Sequence, residues 1–445
     1  MNVLAAAARP PAELLIRAAH VIDPRLGINA PHDVLVREGE IAEIGSPGSL
    51  QAPIGSQTLE AEGKHLFAAF VDPHVHLRAP GQDHKEDLET GTRAAAAGGY
   101  CAVVAMPNTD PVLDSPALLR GLLASAAREA RVPVGFMAAV SVGLAGTRMT
   151  EMSELREVGA VGFTDDGLPV RDAGLLRQAL RYQRLCGGVL ALHEEDPALS
   201  GHGVMHEGAV SVELGLAGIP SISESTMIAR DAQIAEHEGG RVHFQHLSAR
   251  RSVEALADAR ERGVAVSGEV TPHHLLLTDE HVRGLDPSFK MNPPLRTEDD
   301  RLALVQGLRD GTIECIATDH APHTRDEKDV PFEQAPMGTT GLESSFAMLY
   351  TELVLPGVIE LELLLERLTA AARLFELEVP QITVGRSANL CLIDLTSGWR
   401  IGEPGYESRS SNCCFGGREV YGRTLLTLAD GAVAYRERAF ALSAA

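Results

Sequence analysis

No stretch of this 445-residue chain is long and apolar enough to span a bilayer as a helix. The opening residues, MNVLAAAARPPAELL, lack a basic leader region and a long apolar core, so no secretory signal is expected. Paired metal-ligand spacing is missing among the six cysteines, which stand at 101, 186, 315, 391, 413 and 414. That pattern predicts reduced, structural thiols and a cytoplasmic address. The adjacent Cys413 and Cys414 fit a turn or strand edge, because neighbouring side chains in a strand face opposite ways. Basic residues are in deficit, 39 against 61 acidic, for a formal net charge of −22. Such a surface repels phosphate backbones and anionic lipid, which argues against nucleic acid and membranes as partners. An anionic small molecule would need its own local cation. Neither an internal repeat nor a low-complexity linker interrupts the chain.

What is present is apolar content, 44% against 22% charged residues, enough for a large core. Short apolar runs recur at 70–75, 101–106, 134–140, 161–164, 189–193, 242–247, 264–270 and 315–318. Each is followed by a turn and then an Ala- and Leu-rich stretch, such as 115–130 or 251–262. Eight such β–α units predict an α/β fold, a closed parallel (β/α)8 TIM-like barrel. The flanks read as strand and turn instead, at 14–16, 34–36 and 41–44, and again at 388–395, 419–420, 424–428 and 432–435. The expected organisation is a barrel over 67–379 and a small β-sandwich domain shared by residues 1–66 and 380–445.

Asp72-Pro73-His74-Val75-His76-Leu77-Arg78 closes the first run. Residues two apart in an extended chain share a face, so His74 and His76 form a chelating pair with Arg78 beyond them. An isolated His-x-His is weak evidence. Other strand ends agree with this one, however: His193 and His246 end the fifth and sixth runs, Asp319 follows the eighth, and Asp165-Asp166 follow the fourth. Imidazoles and carboxylates gathered at the catalytic end of a barrel are the donor types of a zinc hydrolase. Alternation cannot choose between Asp165 and Asp166.

The strings DPHVHLR, MPNTDP, TDDGLPV, LALHEED, QHLS, VTPHHL, KMNPPLR, ATDHAPHTRDEK and APMGTTGLE resemble, in order and spacing, the type I dihydroorotases of the amidohydrolase superfamily. The resemblance runs over nearly the whole chain. It implies two Zn2+ ions, one held by His74, His76 and Asp319 and one by His193 and His246, bridged by Asp166 and a hydroxide. Asp165 would then support Asp166. Hydantoinases and allantoinases usually carry a carboxylated lysine as the bridge, and this strand has none. The resemblance also implies substrate contacts at Arg78, Asn108, Asn292, His323, Met337 and Gly338. Without it, Asn108 and Asn292 would read as turn and cap residues. His243, His273, His274 and His320 receive no ligand role.

The implied reaction is reversible hydrolysis of dihydroorotate to N-carbamoyl-L-aspartate, a step of pyrimidine biosynthesis, with Asp319 as general acid and base. Candidate assemblies are a homodimer and a complex with aspartate transcarbamoylase. Rival readings are a hydantoinase, dihydropyrimidinase or allantoinase on the same scaffold, or an inactive scaffold for aspartate transcarbamoylase. Residues 324–341 should arch over the site as a loop. Ala68-Ala69, Cys413-Cys414 and Met337 depart from the usual family residues, and none is an implied ligand.

Overall fold

The computed structural model describes residues 3–403, 405–438, 440 and 443–444. Residues 1–2 and 445, the outer limits of the expected terminal segments, lie outside the described residues. Five strands come first: β1 Leu14–Asp23, β2 Ile28–Arg37, β3 Glu40–Gly45, β4 Gln57–Glu60 and β5 His65–Ala68. The barrel follows with β6 Phe70–Val75, β7 Tyr100–Ala105, β8 Val134–Ala138, β9 Gly162–Phe163 and β10 Val189–Leu192. A ribbon of β11 Met205–His206 and β12 Gly218–Ile219 intervenes before β13 Val242–Phe244, β14 Val266–Val270 and β15 Cys315–Ile316.

The eight barrel strands pair side by side in chain order and in parallel, each of the eight expected runs supplying one. Every residue in them is buried, as a parallel sheet covered by helices on its outer face requires. A parallel bridge between Val75 and His320, with His76 N–H donated to His320 O at 2.8 Å, brings the last strand round to the first. Local sequence sets the helix starts. Asp87 and Thr90 cap helix Leu88–Ala97 reciprocally, Thr297 and Asp300 do so for Glu298–Asp310, and Asp172 caps Ala173–Cys186. Helices Pro116–Glu129 and Arg250–Glu261 fall on the two stretches expected to be helical.

The C-terminal part contributes β16 Leu390–Asp394, β17 Trp399–Arg400, β18 Glu419–Val420, β19 Arg423–Ala429, β20 Ala432–Arg436 and β21 Ser443–Ala444. Both ends of the chain share one nine-stranded sheet, in the order β20-β19-β16-β5-β1-β2-β3, with β4 beside β1 and β21 beside β4. Its apolar face is closed by Ile16, Val21, Val34, Leu66, Leu390 and Leu426, all fully or nearly fully buried. The β18 strand does not join that sheet. It pairs with β17 in a separate ribbon, because Ile401, Cys413, Cys414, Phe415 and Val420 bury themselves with Met205, Leu277, Phe332 and Met348 in another apolar cluster. Thr427 Oγ1 donates to Ala96 O at 2.6 Å and so fastens the large sheet to the first barrel helix. No helix among the described residues is long and apolar enough to cross a membrane.

Candidate functional site

The implied ligands gather where the barrel strands end. His74 lies inside β6 and His76 immediately after it, His193 follows β10, and His246, Asp166 and Asp319 sit two or three residues beyond β13, β9 and β15. Three residues of this region, Arg78, His246 and Asp319, have positive φ values of 59°, 33° and 47°. Non-glycine residues in that conformation concentrate at functional turns, where surrounding structure holds them.

Two donor groups overlap on His74. His74, His76 and Asp319 form one and His74, Asp166 and His246 the other, each with ligand atoms within 4.8 Å of one another. His76 Nε2 is 3.0 Å from Asp319 Oδ1, and His74 Nε2 is 3.3 Å from Asp166 Oδ1 and 3.5 Å from Asp319 Oδ1. Asp166 Oδ2 is 3.5 Å from His76 Nε2, while its Oδ1 is 3.7 Å from His246 Nε2, so this one carboxylate faces both histidine pairs. His193 joins through Nδ1, 2.9 Å from His246 Nε2. Asp165 turns away and accepts from the Ser141 backbone N–H at 2.9 Å and from the Ser141 hydroxyl.

Burial opposes charge at His74, yet the carboxylates of Asp166, Glu269 and Asp319 push it well above its ordinary value. The histidines in turn hold Asp166 and Asp319 far below the usual carboxylate range, against the same burial. His74 Nε2 is a buried ring nitrogen with no hydrogen-bond partner among the described residues, although carboxylate oxygens surround it. Four imidazoles and two carboxylates arranged in this way are the donor set of a divalent cation site, and the residues fit one.

Above the cluster opens a cavity of about 260 Å³. All six residues expected to touch substrate, Arg78, Asn108, Asn292, His323, Met337 and Gly338, line it, together with His76, Asp166, His193, His246 and Asp319. Arg78 is anchored by Nε–H donated to Pro322 O at 3.2 Å, and its Nη2 lies 3.4 Å from His323 Nε2. Burial first, and then the neighbouring Arg78, lower His323 to about 3, so its imidazole is neutral and bonds Met337 O at 2.9 Å. A side chain at Gly338, where φ is +134°, would put its Cβ 2.8 Å from that of Ala321. This is the close approach that requires glycine. The 324–341 segment carries the short helix Arg325–Lys328, and Lys328 Nζ ties it down by donating to Pro287 O at 2.9 Å and Pro336 O at 2.8 Å.

Sequence reading missed Glu269, Asn412 and Glu195. Glu269 accepts from His74 Nδ1 at 2.7 Å and stands 3.0 Å from His243 Nε2. A charged residue in the middle of Val266–Val270 was its available signal. Asn412 accepts from His323 N–H at 3.0 Å and donates to Ala321 O at 3.1 Å and Gly338 O at 3.2 Å, next to cysteines read only as a turn or strand edge. Glu195 receives Asn292 Nδ2 at 2.6 Å and lies 3.4 Å from His193. His273, His274 and His320 stay outside the two donor groups; His243 falls in neither but belongs to a deeper set with Glu269 and Cys315.

Residues 63–252 match the dihydro-orotase-like family. A dihydroorotase of Anaeromyxobacter dehalogenans is 43% identical over 427 residues, covering 95% of this chain and 98% of that protein. The chain belongs to the dihydroorotase family. Another member, the dihydroorotase of Pelotomaculum thermopropionicum, is 42% identical over 96% of this chain and 99% of its own length. Among solved structures, an L-hydantoinase (dihydropyrimidinase) from Arthrobacter aurescens superposes on this family member with a TM-score of 0.83. It covers 96% of both chains at 22% identity, a likeness of fold alone. A D-hydantoinase (dihydropyrimidinase) from a Thermus species gives 0.80 at 27% identity, again over 96% of both. The dihydroorotase family thus shares its barrel and added sheet with the wider amidohydrolase superfamily.

Proposed function

We propose that the chain is a zinc-dependent dihydroorotase of the type I class, interconverting dihydroorotate and N-carbamoyl-L-aspartate. The observation that carries this reading is a single cavity with a His/Asp cluster at its floor and the half-buried, anchored cation Arg78 in its wall. In a protein of net charge −22, that guanidinium is the local cation a carboxylate substrate needs.

His74, His76 and Asp319 would hold one Zn2+, His193 and His246 a second, and Asp166 would bridge them. Zinc bound there supplies Lewis acidity, polarising an amide carbonyl and lowering the pKa of water to about 7. The protein's own residues do the rest. Arg78, Asn292 and His323 seat the substrate carboxylate, and Asn108 and the Met337–Gly338 backbone hold the ring against the cluster. Asp319 takes the proton of the attacking water and delivers it to the ring nitrogen as the amide bond opens. In reverse, it removes the proton from the carbamoyl nitrogen and returns it to the departing oxygen. The hydantoinase reading is disfavoured by Asp166, which stands where those relatives usually carry lysine.

By the same resemblance we expect a cytoplasmic enzyme that forms a homodimer or joins aspartate transcarbamoylase, which sedimentation of the protein alone and mixed with that partner would distinguish. The test of the reaction is turnover of dihydroorotate, dihydrouracil, hydantoin and allantoin by zinc-loaded protein. Preference for dihydroorotate is expected. Preference for any of the other three would overturn the assignment.

A further inference from the structure

A second cavity, of about 420 Å³, lies in the seam between the barrel and the terminal sheet and, among the described residues, shares no lining residue with the one above the His/Asp cluster. Its size falls within the range of small-molecule sites, roughly 300–1,000 Å³. Its charge runs against that of the whole protein. Five arginines, Arg93, Arg131, Arg423, Arg436 and Arg438, line it against three glutamates, Glu343, Glu407 and Glu437, in a chain where acidic residues outnumber basic ones 61 to 39.

Two of the five arginines are engaged, Arg93 with Glu407 at 2.9 Å and Arg423 with Glu437 at 3.0 Å. Arg131 reaches Glu89 only at 3.9 Å. Arg436 and Arg438 stand exposed on the rim, and neither pairs with an acidic side chain among the described residues. Burial, above all, raises the Glu343 carboxyl to about 7, so part of the opposing negative charge is neutralised near neutral pH. Aromatic surface accompanies the guanidinium groups. Trp399, the chain's single tryptophan, lines the cavity with Tyr435, and its buried indole N–H has no acceptor among the described residues. Free guanidinium groups beside flat aromatic walls recognise an anion attached to a planar ring.

The cavity wall is also continuous with the active-site wall. Glu343 accepts the backbone N–H groups of Glu407 and Ser408 at 3.0 and 3.1 Å. The Ser408 hydroxyl donates to Glu86, which lies 3.3 Å from His320 on the strand end next to Asp319. Four residues further on, Asn412 holds His323 and Gly338. Whatever displaces the segment 405–412 is therefore felt at the wall that faces substrate.

We propose that this seam cavity is a second ligand site for a phosphorylated ring compound of nucleoside monophosphate size, and that its occupant alters substrate affinity through residues 405–412. The unique Trp399 makes binding directly readable. The experiment titrates the full-length protein with uridine 5′-monophosphate and adenosine 5′-monophosphate, using uridine, adenosine and inorganic phosphate as controls. Tryptophan fluorescence is followed in the wild type and in the Arg436→Glu/Arg438→Glu variant. A saturable change with at least one nucleotide, absent with the nucleosides and weakened at least tenfold in the variant, is expected. The variant should keep its thermal midpoint and its basal turnover, because both side chains are exposed and remote from the His/Asp cluster. No saturable change at millimolar nucleotide, or equal affinity in wild type and variant, overturns the site. The saturating nucleotide should also shift the KM for dihydroorotate in the wild type and not in the variant. Binding with an unchanged KM would overturn the coupling. The fluorescence arm does not depend on the assigned activity, so failure of one is distinguishable from failure of the other.

Discussion

Glu269 Oε1 lies 2.7 Å from Nδ1 of His74, which leaves Nε2 of that ring facing Asp166 and Asp319. The carboxylate thereby selects the tautomer and the rotation of the histidine common to both donor groups. Such partners of metal-binding histidines tune affinity by roughly 10–100-fold. Glu269→Ala should therefore weaken metal retention by about that factor, and Glu269→Gln by less, since the amide oxygen can still accept from Nδ1. Competition with a chelator measures this without reference to turnover. Unaltered affinity in Glu269→Ala would show that His74 is held by other contacts.

Asp319 is expected to be the proton carrier, with its carboxylate at the floor of the cavity, 3.0 Å from His76. Asp319→Asn keeps the shape and removes the base. General acid–base groups contribute roughly 10²–10⁴-fold, so kcat should fall by at least that much while the thermal midpoint stays near that of the wild type at matched metal content. Residual turnover within tenfold of wild type would assign the proton transfer elsewhere.

How much of this was legible follows from what kind of contact each residue makes. The eight strands and the positions of His74, His76, His193, His246 and Asp319 could be read because an apolar run and the polar residue at its end are neighbours in sequence. The choice of Asp166 over Asp165 came from the family resemblance alone and not from alternation, since two adjacent aspartates differ only in which way the backbone turns them. In the fold, Asp165 is taken up by Ser141 and Asp166 is left to the histidines. Glu269 and Asn412 escaped for a different reason. Their partners lie 195 and 89 residues away in the chain, so no local pattern announces them. The ribbon of Trp399–Arg400 with Glu419–Val420 was likewise invisible as a separate element, because alternation reveals a strand without naming its neighbour.

Asn412 offers a test of the substrate wall that leaves the donor cluster untouched. Its side chain makes three hydrogen bonds, to the His323 N–H, Ala321 O and Gly338 O. Asn412→Ala leaves those buried groups unpaired, at a stability cost of about 1–3 kcal/mol, and frees the backbone that carries His323 and Gly338. The expected kinetic result is a KM for dihydroorotate raised about tenfold with kcat changed far less, the pattern of lost ground-state binding. A collapse of kcat with KM unchanged would mean instead that Asn412 supports the chemical step.

His206 supplies a dependence on pH separate from the donor cluster. Its Nδ1 lies 3.2 Å from Nη1 of Arg296, a buried guanidinium that also donates to Ile219 O at 2.6 Å. Burial, and then the adjacent Arg296, lower His206 from 6.5 to about 4. In the folded protein the ring therefore stays neutral down to about pH 4, whereas in the unfolded chain it takes up a proton near 6.5. Between those values the unfolded state binds more protons, so stability present above pH 6.5 is lost as pH falls, by up to about 3 kcal/mol at pH 4. His206→Asn retains an acceptor oxygen near the position of Nδ1 and cannot titrate. The difference in urea midpoint between wild type and His206→Asn should then shift steadily against the wild type from pH 7 to pH 4.5, and comparing the two proteins cancels acid effects common to both. Parallel pH curves would place the acid sensitivity of the fold elsewhere.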